Sequence, residues 1–139
     1  TGQIAPVEGT PFDFREPHAI GERIGADNQQ LRNGGGYDHN WVIDRKTESG
    51  IEQVATVWEP ASGRTIEVLS DQPGLQVYSG NFFDGKSIGK YGKPQRYRES
   101  LALETQKFPD SPNHDNFPST VLRPGETYTQ VCIYKFGVK

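Results

Sequence analysis

Short runs rich in Val, Ile, Thr and aromatic residues recur along the chain, and segments containing Gly or Pro separate them. Side chains of these types favour the pleated, half-buried surface of a β-strand. The runs cover residues 41–43, 51–58, 64–69, 75–79, 101–106 and 128–136. No helical repeat of apolar residues lies between them. The pattern therefore predicts an all-β fold, an antiparallel β-sandwich rather than a parallel sheet with crossover helices.

One weak helical pattern precedes the first strand. Ile20, Ile24 and Leu31 recur at loosely helical spacing, but glycines interrupt them, so we expect one or two short helical turns within residues 17–31. The run Gly34-Gly35-Gly36 then permits backbone conformations that are closed to other residues. It indicates either a flexible loop or a close approach of the backbone to a ligand.

Size and charge exclude several classes of protein. The chain has 139 residues, which predicts a single domain over residues 1–139. No apolar run is long enough to cross a membrane, so we expect no membrane partner. The net charge is −3 without a basic stripe, which argues against a nucleic-acid partner. The lysines and arginines between residues 81 and 100 are interpreted as a solvated, charged face.

A carboxylate in the fifth run is the first candidate for chemistry. Alternation along a strand puts Leu101 and Leu103 on one face and Glu104, beside the small Ala102, on the other. The leucine face is typical of a core. Glu104 on rigid β-structure could take a proton from a hydroxyl, or it could simply lie on a solvent-facing surface.

Polar and aromatic residues on two other strands suit a sugar. Gln76 and Tyr78 share one face of the fourth run, where an amide and a phenol can hydrogen-bond neighbouring hydroxyls. Asp38 and His39 follow the glycines at a loop-to-strand junction, a common position for ligand contacts. Trp41 offers a flat apolar face that can stack on a pyranose ring or pack in a core.

Metal and thiol chemistry have little support in the sequence. No two histidines have the spacing of a metal pair, no loop has the acidic spacing of a calcium site, and no G-x-S-x-G nucleophile motif occurs. We expect no metal site. The single cysteine, Cys132, lies in a strand-like run and is expected to be a buried packing residue.

Four motifs occur in a fixed order: GYDHNW at 36–41, QPGLQVYSGNF at 72–82, LALETQ with PD at 101–110, and LRPGE at 122–126. Together with residues 1–13 they closely resemble the C-terminal part of the galactose mutarotase (aldose 1-epimerase) family. The resemblance implies that the chain is part of a large antiparallel β-supersandwich whose N-terminal part is absent here. It also implies interconversion of the α and β anomers of free aldoses such as galactose or glucose, without a cofactor.

The resemblance gives roles to particular residues. Glu104 matches the base that removes the proton of the anomeric hydroxyl. Asp38 matches a carboxylate that hydrogen-bonds sugar hydroxyls, and Gln76 matches an amide near the anomeric centre. His39 is expected to support its neighbours rather than act as the acid, and Trp41 with Tyr78 are candidates for stacking on the sugar.

Three functional residues of the family have no match in this sequence. The family's acid is a His in an Asn-His-Ser/Thr-Tyr-Phe-like motif upstream of the matched part, and no such motif occurs here. A second active-site His and a substrate-binding Arg also have no match. We therefore expect mutarotase activity from the full-length chain and none from this segment alone.

The sequence is also compatible with two other functions, and it predicts a protein partner. A non-catalytic carbohydrate-binding β-sandwich would use the same binding residues, and a glycosidase would pair Asp38 with Glu104. An incomplete sandwich leaves strand edges and apolar faces uncovered. We therefore expect the missing N-terminal part of the same protein, or a swapped homo-oligomer, as the protein partner. The sequence leaves both the cytoplasm and the periplasm open as its compartment.

Overall fold

A computed structural model describes all residues from 1 to 139 and contains mainly β-structure. The strands are β1 (Asp38–Val42), β2 (Glu52–Trp58), β3 (Arg64–Ser70), β4 (Gly74–Tyr78), β5 (Ala102–Gln106) and β6 (Cys132–Val138). The helices are α1 (Ile20–Arg23) and α2 (Gln29–Gly34), and single 3-10 turns occur at Lys90–Gly92 and Ser111–Asn113. Each predicted strand is present, and the predicted antiparallel all-β class is confirmed. Neither helix has the length and apolar character needed to traverse a bilayer.

The strands form two three-stranded sheets, in the orders β1-β4-β5 and β2-β3-β6. In the second sheet both neighbours of β3 run antiparallel to it. The loop from β2 to β3 is a tight turn organised by Glu59, whose carboxylate accepts the backbone N–H groups of Ala61 and Ser62 at 2.8 and 2.7 Å. The β2–β3 hairpin loop at residues 59–63 therefore takes its geometry from a local side-chain cap.

The chain divides into two compact units: residues 1–39 with 76–103, and residues 40–75 with 104–139. In the first unit the core is centred on Tyr37, whose side chain is fully buried. The rings of Phe12 and Phe14 meet Tyr37 edge-on at 5.6 and 5.4 Å. The Tyr37 hydroxyl donates to the carbonyl of Pro11 at 2.9 Å. The N-terminal segment thus has no regular structure and is nevertheless fixed by aromatic packing.

The glycine run ends α2 and brings the backbone against Asn81. Gly35 has a φ of 64° as the helix C-cap, and the Gly36 N–H bonds the carbonyl of Leu31 at 2.9 Å. Gly36 has a φ of 141°, and a Cβ there would lie 2.4 Å from the Asn81 Oδ1 atom. The Asn81 amide donates to the carbonyls of Gly34 and Tyr37 at 2.9 and 2.8 Å. The backbone of the glycine run therefore approaches the side chain of Asn81 rather than a ligand. The run is an ordered helix cap and not a flexible loop.

In the second unit a single arginine ties several backbone segments together. The Arg45 guanidinium donates to the carbonyls of Ser70, Gln72 and Gly50 at 3.3, 3.0 and 2.5 Å. It also pairs with the Glu52 carboxylate at 3.1 Å, and both side chains are mostly buried. Planar multi-donor geometry lets one Arg satisfy all these acceptors. The ends of β2 and β3 are held by this contact.

Strand β6 is exposed along its whole length. It is the outer strand of its sheet, and the pairs Ile66↔Phe136 and Val68↔Tyr134 give one face of the sheet an apolar surface. Phe136 is 74% exposed and Val138 is 79% exposed. Cys132 is also exposed, so its predicted burial is wrong. The physical reason is that an outer strand gains cover from only one neighbour.

Substitution of Gly36 by Ala tests the close approach to Asn81. We expect Gly36→Ala to lower the free energy of unfolding by about 3 kcal/mol or more, because both the φ angle and the contact are unfavourable. Gly9→Ala is the matched control, since Gly9 also has a positive φ of 70° but has open space around its Cβ position. The control should lose only about 1–2 kcal/mol. Urea denaturation followed by circular dichroism measures both, and equal losses would contradict the role of Asn81.

Candidate functional site

Asp38 and Gln76 form one hydrogen-bonded pair within the first unit. The Gln76 side-chain amide Nε2 donates to the Asp38 carboxylate Oδ1 at 2.8 Å, and both residues are half-buried. The adjoining ends of β1 and β4 are fixed because the Ser79 N–H donates to the carbonyl of Tyr37 at 3.0 Å. The bond to a charged acceptor orients the carboxylate and fixes which end of the amide is Oε1.

The other end of the Gln76 amide lacks a partner. Its Oε1 atom is buried and accepts no hydrogen bond in the structure. A buried acceptor without a donor is costly in a folded protein, and such atoms require an explanation. A hydroxyl group that donates to Oε1 would remove this cost. The pair thus offers a carboxylate and a carbonyl oxygen, the acceptors that a polyhydroxylated ligand requires.

His39 holds the backbone of Asp38. The His39 ring atom Nδ1 accepts the backbone N–H of Asp38 at 3.0 Å, and the ring also bonds the backbone of Gln30. Phe12 contacts the ring edge-on at 4.7 Å between centroids. Burial lowers the pKa of His39 below its usual 6.5, so the imidazole is neutral at pH 7. With Nδ1 as an acceptor, the ring proton is assigned to Nε2.

Tyr78 belongs to an aromatic cluster in the same unit. Its hydroxyl oxygen accepts the backbone N–H of Phe82 at 2.9 Å, and the two rings are stacked 6.1 Å apart with an interplanar angle of 19°. The outer member of this pair, Phe82, is 69% exposed. Sequence reasoning did not select Phe82 as a candidate. The one sequence signal for it was the turn-forming pair Gly80-Asn81, which lies just beyond the end of β4 and immediately before this aromatic residue.

Glu104 lies in β5, in the second unit, with an exposed side chain next to a buried Thr105. The predicted core face is not seen for the leucines, since Leu103 is half-buried like Ala102 and Gln106, and only Glu104 and Thr105 differ as two opposite faces would. Gln130 holds the backbone beside it, because its Nε2 donates to the Thr105 carbonyl at 2.6 Å. The pKa of Tyr134 is raised, first by burial, then by interaction with Cys132, and also by the negative charge of Glu104. Tyr134 and Gln130 are thus neighbours of this region that sequence reasoning missed.

Asn40 and Trp41 follow Asp38 and His39 along β1. Trp41 is half-buried, and it lies within the second unit. Next to it, the Asn40 side chain accepts a hydrogen bond from Gln106 at 3.3 Å, and a Cβ on Gly74 would lie 2.6 Å from Asn40 Oδ1. Gly74 therefore leaves room for this amide. The structure contains no group of three or more His, Cys, Asp or Glu side chains that could hold a metal ion.

Comparisons with known proteins identify the family. The family model described as aldose 1-epimerase matches residues 1–135. The chain is 44% identical to a galactose mutarotase of Mus musculus over 138 residues, which are 99% of this chain and 38% of that protein. It is 39% identical to an aldose 1-epimerase of Escherichia coli over 135 residues, 96% of this chain and 38% of that protein.

A solved structure agrees with this match. The crystal structure of a GalM/aldose epimerase homologue from C. elegans superposes with a TM-score of 0.80 at 29% identity, covering 99% of this chain and 40% of that one. The chain therefore belongs to the aldose 1-epimerase family and has the fold class of its mutarotase-like members. It spans about two-fifths of the length of the relatives that it matches.

The neutral state of His39 predicts how stability depends on pH. The folded protein holds a proton on this ring less tightly than the unfolded chain does, so stability should fall as pH drops through about 6.5 and level off below the folded-state pKa. The variant His39→Asn should show a flatter profile between pH 7 and pH 5. Glu22 and Glu59, whose pKa values lie below the usual 4.5, titrate below this window.

A matched histidine variant separates this effect from general acid sensitivity. His18 bonds only the exposed Glu22 carboxylate, so His18→Asn should keep the fall in stability that the parent shows. Urea unfolding at a series of pH values measures the three proteins. A His39→Asn profile as steep as that of the parent would contradict the buried neutral state.

Proposed function

We propose that the protein acts as an aldose 1-epimerase on free aldoses of the galactose or glucose class, with Glu104 as the general base. Membership of the family supports the reaction class. The observation that carries the binding part of the proposal is the Gln76–Asp38 hydrogen bond, which leaves Gln76 Oε1 buried without a donor. Asp38 and Gln76 bind sugar hydroxyls, and no cofactor takes part.

The proposed reaction is a proton transfer in both directions. The Glu104 carboxylate takes the proton of the anomeric hydroxyl while an acid protonates the ring oxygen, and the C–O bond of the ring breaks. Rotation about the bond between C1 and C2 presents the other face of the aldehyde. Ring closure reverses both proton transfers and gives the opposite anomer. Each correctly placed acid or base accelerates such a step by about 10²–10⁴-fold.

We further propose that the acid is a histidine outside residues 1–139. The chain has three histidines. His39 accepts the Asp38 amide, His18 bonds Glu22, and the His114 ring lies 3.3 Å from the Asp110 carboxylate. Each ring thus has a local role. The chain spans only 38% of the length of its Mus musculus relative, which also supports a catalytic acid located outside residues 1–139.

A second function is favoured by the same geometry. Asp38, Gln76 and the stacked Tyr78–Phe82 pair are binding groups, and none of them needs an acid partner. By itself the chain would then be a carbohydrate-binding β-structure without turnover. The two functions differ in whether the anomers of a bound sugar equilibrate faster than in water.

Polarimetry on freshly dissolved α-galactose tests the catalytic proposal. We expect the 139-residue chain alone to leave the uncatalysed rate unchanged, and the chain completed by the part of a full-length galactose mutarotase that it does not span to accelerate it. In the completed protein Glu104→Gln should reduce the catalysed rate by about 10²–10⁴-fold. Glu48→Gln, in an exposed loop, is the control and should keep it. Full activity in the Glu104 variant would exclude this residue as the base.

Strand β6 supports a proposal about the protein partner. Its outer edge has unpaired backbone groups, and its apolar side chains Phe136 and Val138 are exposed. Such an edge binds another strand readily. We propose that the N-terminal part of the family fold adds to this edge and covers the apolar face. In its absence a second copy takes its place as a swapped homo-oligomer.

Light scattering after size exclusion tests this second proposal. We expect the chain alone to elute as an oligomer, and Phe136→Glu to weaken the association because a charge would be buried at the interface. Tyr91→Glu is the control, since Tyr91 is 91% exposed in the other unit, and it should leave the oligomer intact. A folded 15.5 kDa monomer for the parent chain would contradict the proposal.

A further inference from the structure

The segment between β4 and β5 concentrates positive charge in a protein whose net charge is −3. Two of its cations have partners outside the cavity described below. The Lys86 ammonium lies 2.6 Å from the Asp84 carboxylate, and Arg98 donates to the carbonyl of Gly35 at 2.9 Å. The other three line one open cavity of about 250 Å³ and are Lys90, Lys93 and Arg96. All five side chains are exposed, as the sequence predicts, and three of them in addition share this cavity.

A small hairpin forms one wall of this cavity. The Gly85 N–H donates to the Gln95 carbonyl at 2.8 Å, and the Gln95 N–H donates back to Ser87 at 2.8 Å. Nearer the tip, the Gly89 N–H donates to the carbonyl of Lys93 at 2.8 Å. Both lysines therefore lie on hydrogen-bonded backbone, and less entropy is lost when they hold a ligand than in an open loop.

The opposite wall is anchored at Gly80. Its carbonyl accepts the N–H groups of Phe83 and Arg98 at 3.4 and 3.0 Å, and a Cβ on Gly80 would lie 3.1 Å from the Ser100 Oγ atom. Phe83 and Ser100 both line the cavity. With Pro94 from the hairpin they provide two half-buried apolar surfaces beside a hydroxyl. This combination suits the apolar face and the hydroxyl groups of a sugar ring.

The charge in the cavity favours a dianion. Glu99 is the only carboxylate in its lining, against three cations, and the closest Arg96–Glu99 approach of 3.8 Å is too long for a hydrogen bond. A phosphate monoester carries a charge of about −1.5 to −2 at pH 7 and has three acceptor oxygens. The planar guanidinium of Arg96 matches two of these oxygens, and each lysine ammonium adds a donor.

We propose that this cavity is a binding site for a phosphorylated sugar. The phosphate lies among Lys90, Lys93 and Arg96, and the sugar ring lies against Phe83 and Pro94. The lining consists of residues within 83–100 and includes none of the residues assigned to anomer exchange. The proposal therefore does not rest on the proposed enzymatic function.

Titration of the ¹⁵N-labelled chain, followed by amide NMR, tests the site with three probes. Glucose 6-phosphate should shift the amide signals of Gly89, Gln95 and Ser100 with a dissociation constant in the millimolar range, as expected for exposed charges. Inorganic phosphate should bind at least threefold more weakly, and glucose should not shift these signals. Equal binding of inorganic phosphate would overturn the assignment of a sugar phosphate, and no shift with either phosphate would overturn the site.

Substitutions of charged residues inside and outside the cavity test the site in the same titration. Lys90→Gln and Lys93→Gln should each weaken glucose 6-phosphate binding about three- to tenfold, because each removes one charged donor. Glu99→Gln should strengthen it about threefold, since it removes the only opposing charge. Lys86→Gln is the control outside the cavity and should change nothing. An effect of Lys86→Gln equal to that of Lys90→Gln would reveal non-specific ionic attraction and overturn the proposal. Glucose-induced shifts at Gln76 report separately on the Asp38–Gln76 pair.

Discussion

The buried side chain of Asn81 is the contact on which the candidate binding pair depends. Its amide satisfies the carbonyls of Gly34 and Tyr37, and its Oδ1 accepts the Ser79 hydroxyl at 2.7 Å. These bonds join the end of α2, the start of β1 and the end of β4. Buried polar networks of this kind are stabilising only when every member is satisfied. Gly36 is required because any side chain there would collide with this amide.

The hydrogen bonds of Asn81 and the His39 ring together fix the position of Asp38. The residue follows directly after the Tyr37 carbonyl that Asn81 holds, and its own N–H is bonded by the His39 ring. Gln76 then orients the carboxylate from the neighbouring strand. Backbone and side chain are therefore both restrained before any ligand binds, which is the arrangement that reduces the entropic cost of recognition. The unpaired Gln76 Oε1 is the position in this pair at which a ligand hydroxyl would gain most.

In the second unit the strands are held by polar contacts, but one apolar face is left uncovered. Arg45 and the Glu59 turn define β2 and β3 through buried or local polar contacts. The apolar face of β6 remains exposed, although Val68 on the adjacent strand is fully buried. A sheet face of this composition is normally covered by another layer. The exposed Phe136 and Val138 are thus the physical basis for expecting a partner, whereas the candidate sugar-binding pair needs no such cover to form.

Local pattern alone determined the strand positions, the β2–β3 turn, the alternation that exposes Glu104, and the family motifs around Asp38 and Gln76, because β-branched spacing and turn chemistry act over a few residues. Only the tertiary structure decided that Gly36 approaches Asn81, that His39 accepts the Asp38 amide, that Cys132 is exposed, and which cations of the β4–β5 segment share a cavity. These outcomes join residues distant in the chain or depend on what covers an outer strand, and such contacts leave no periodic signal in a single sequence.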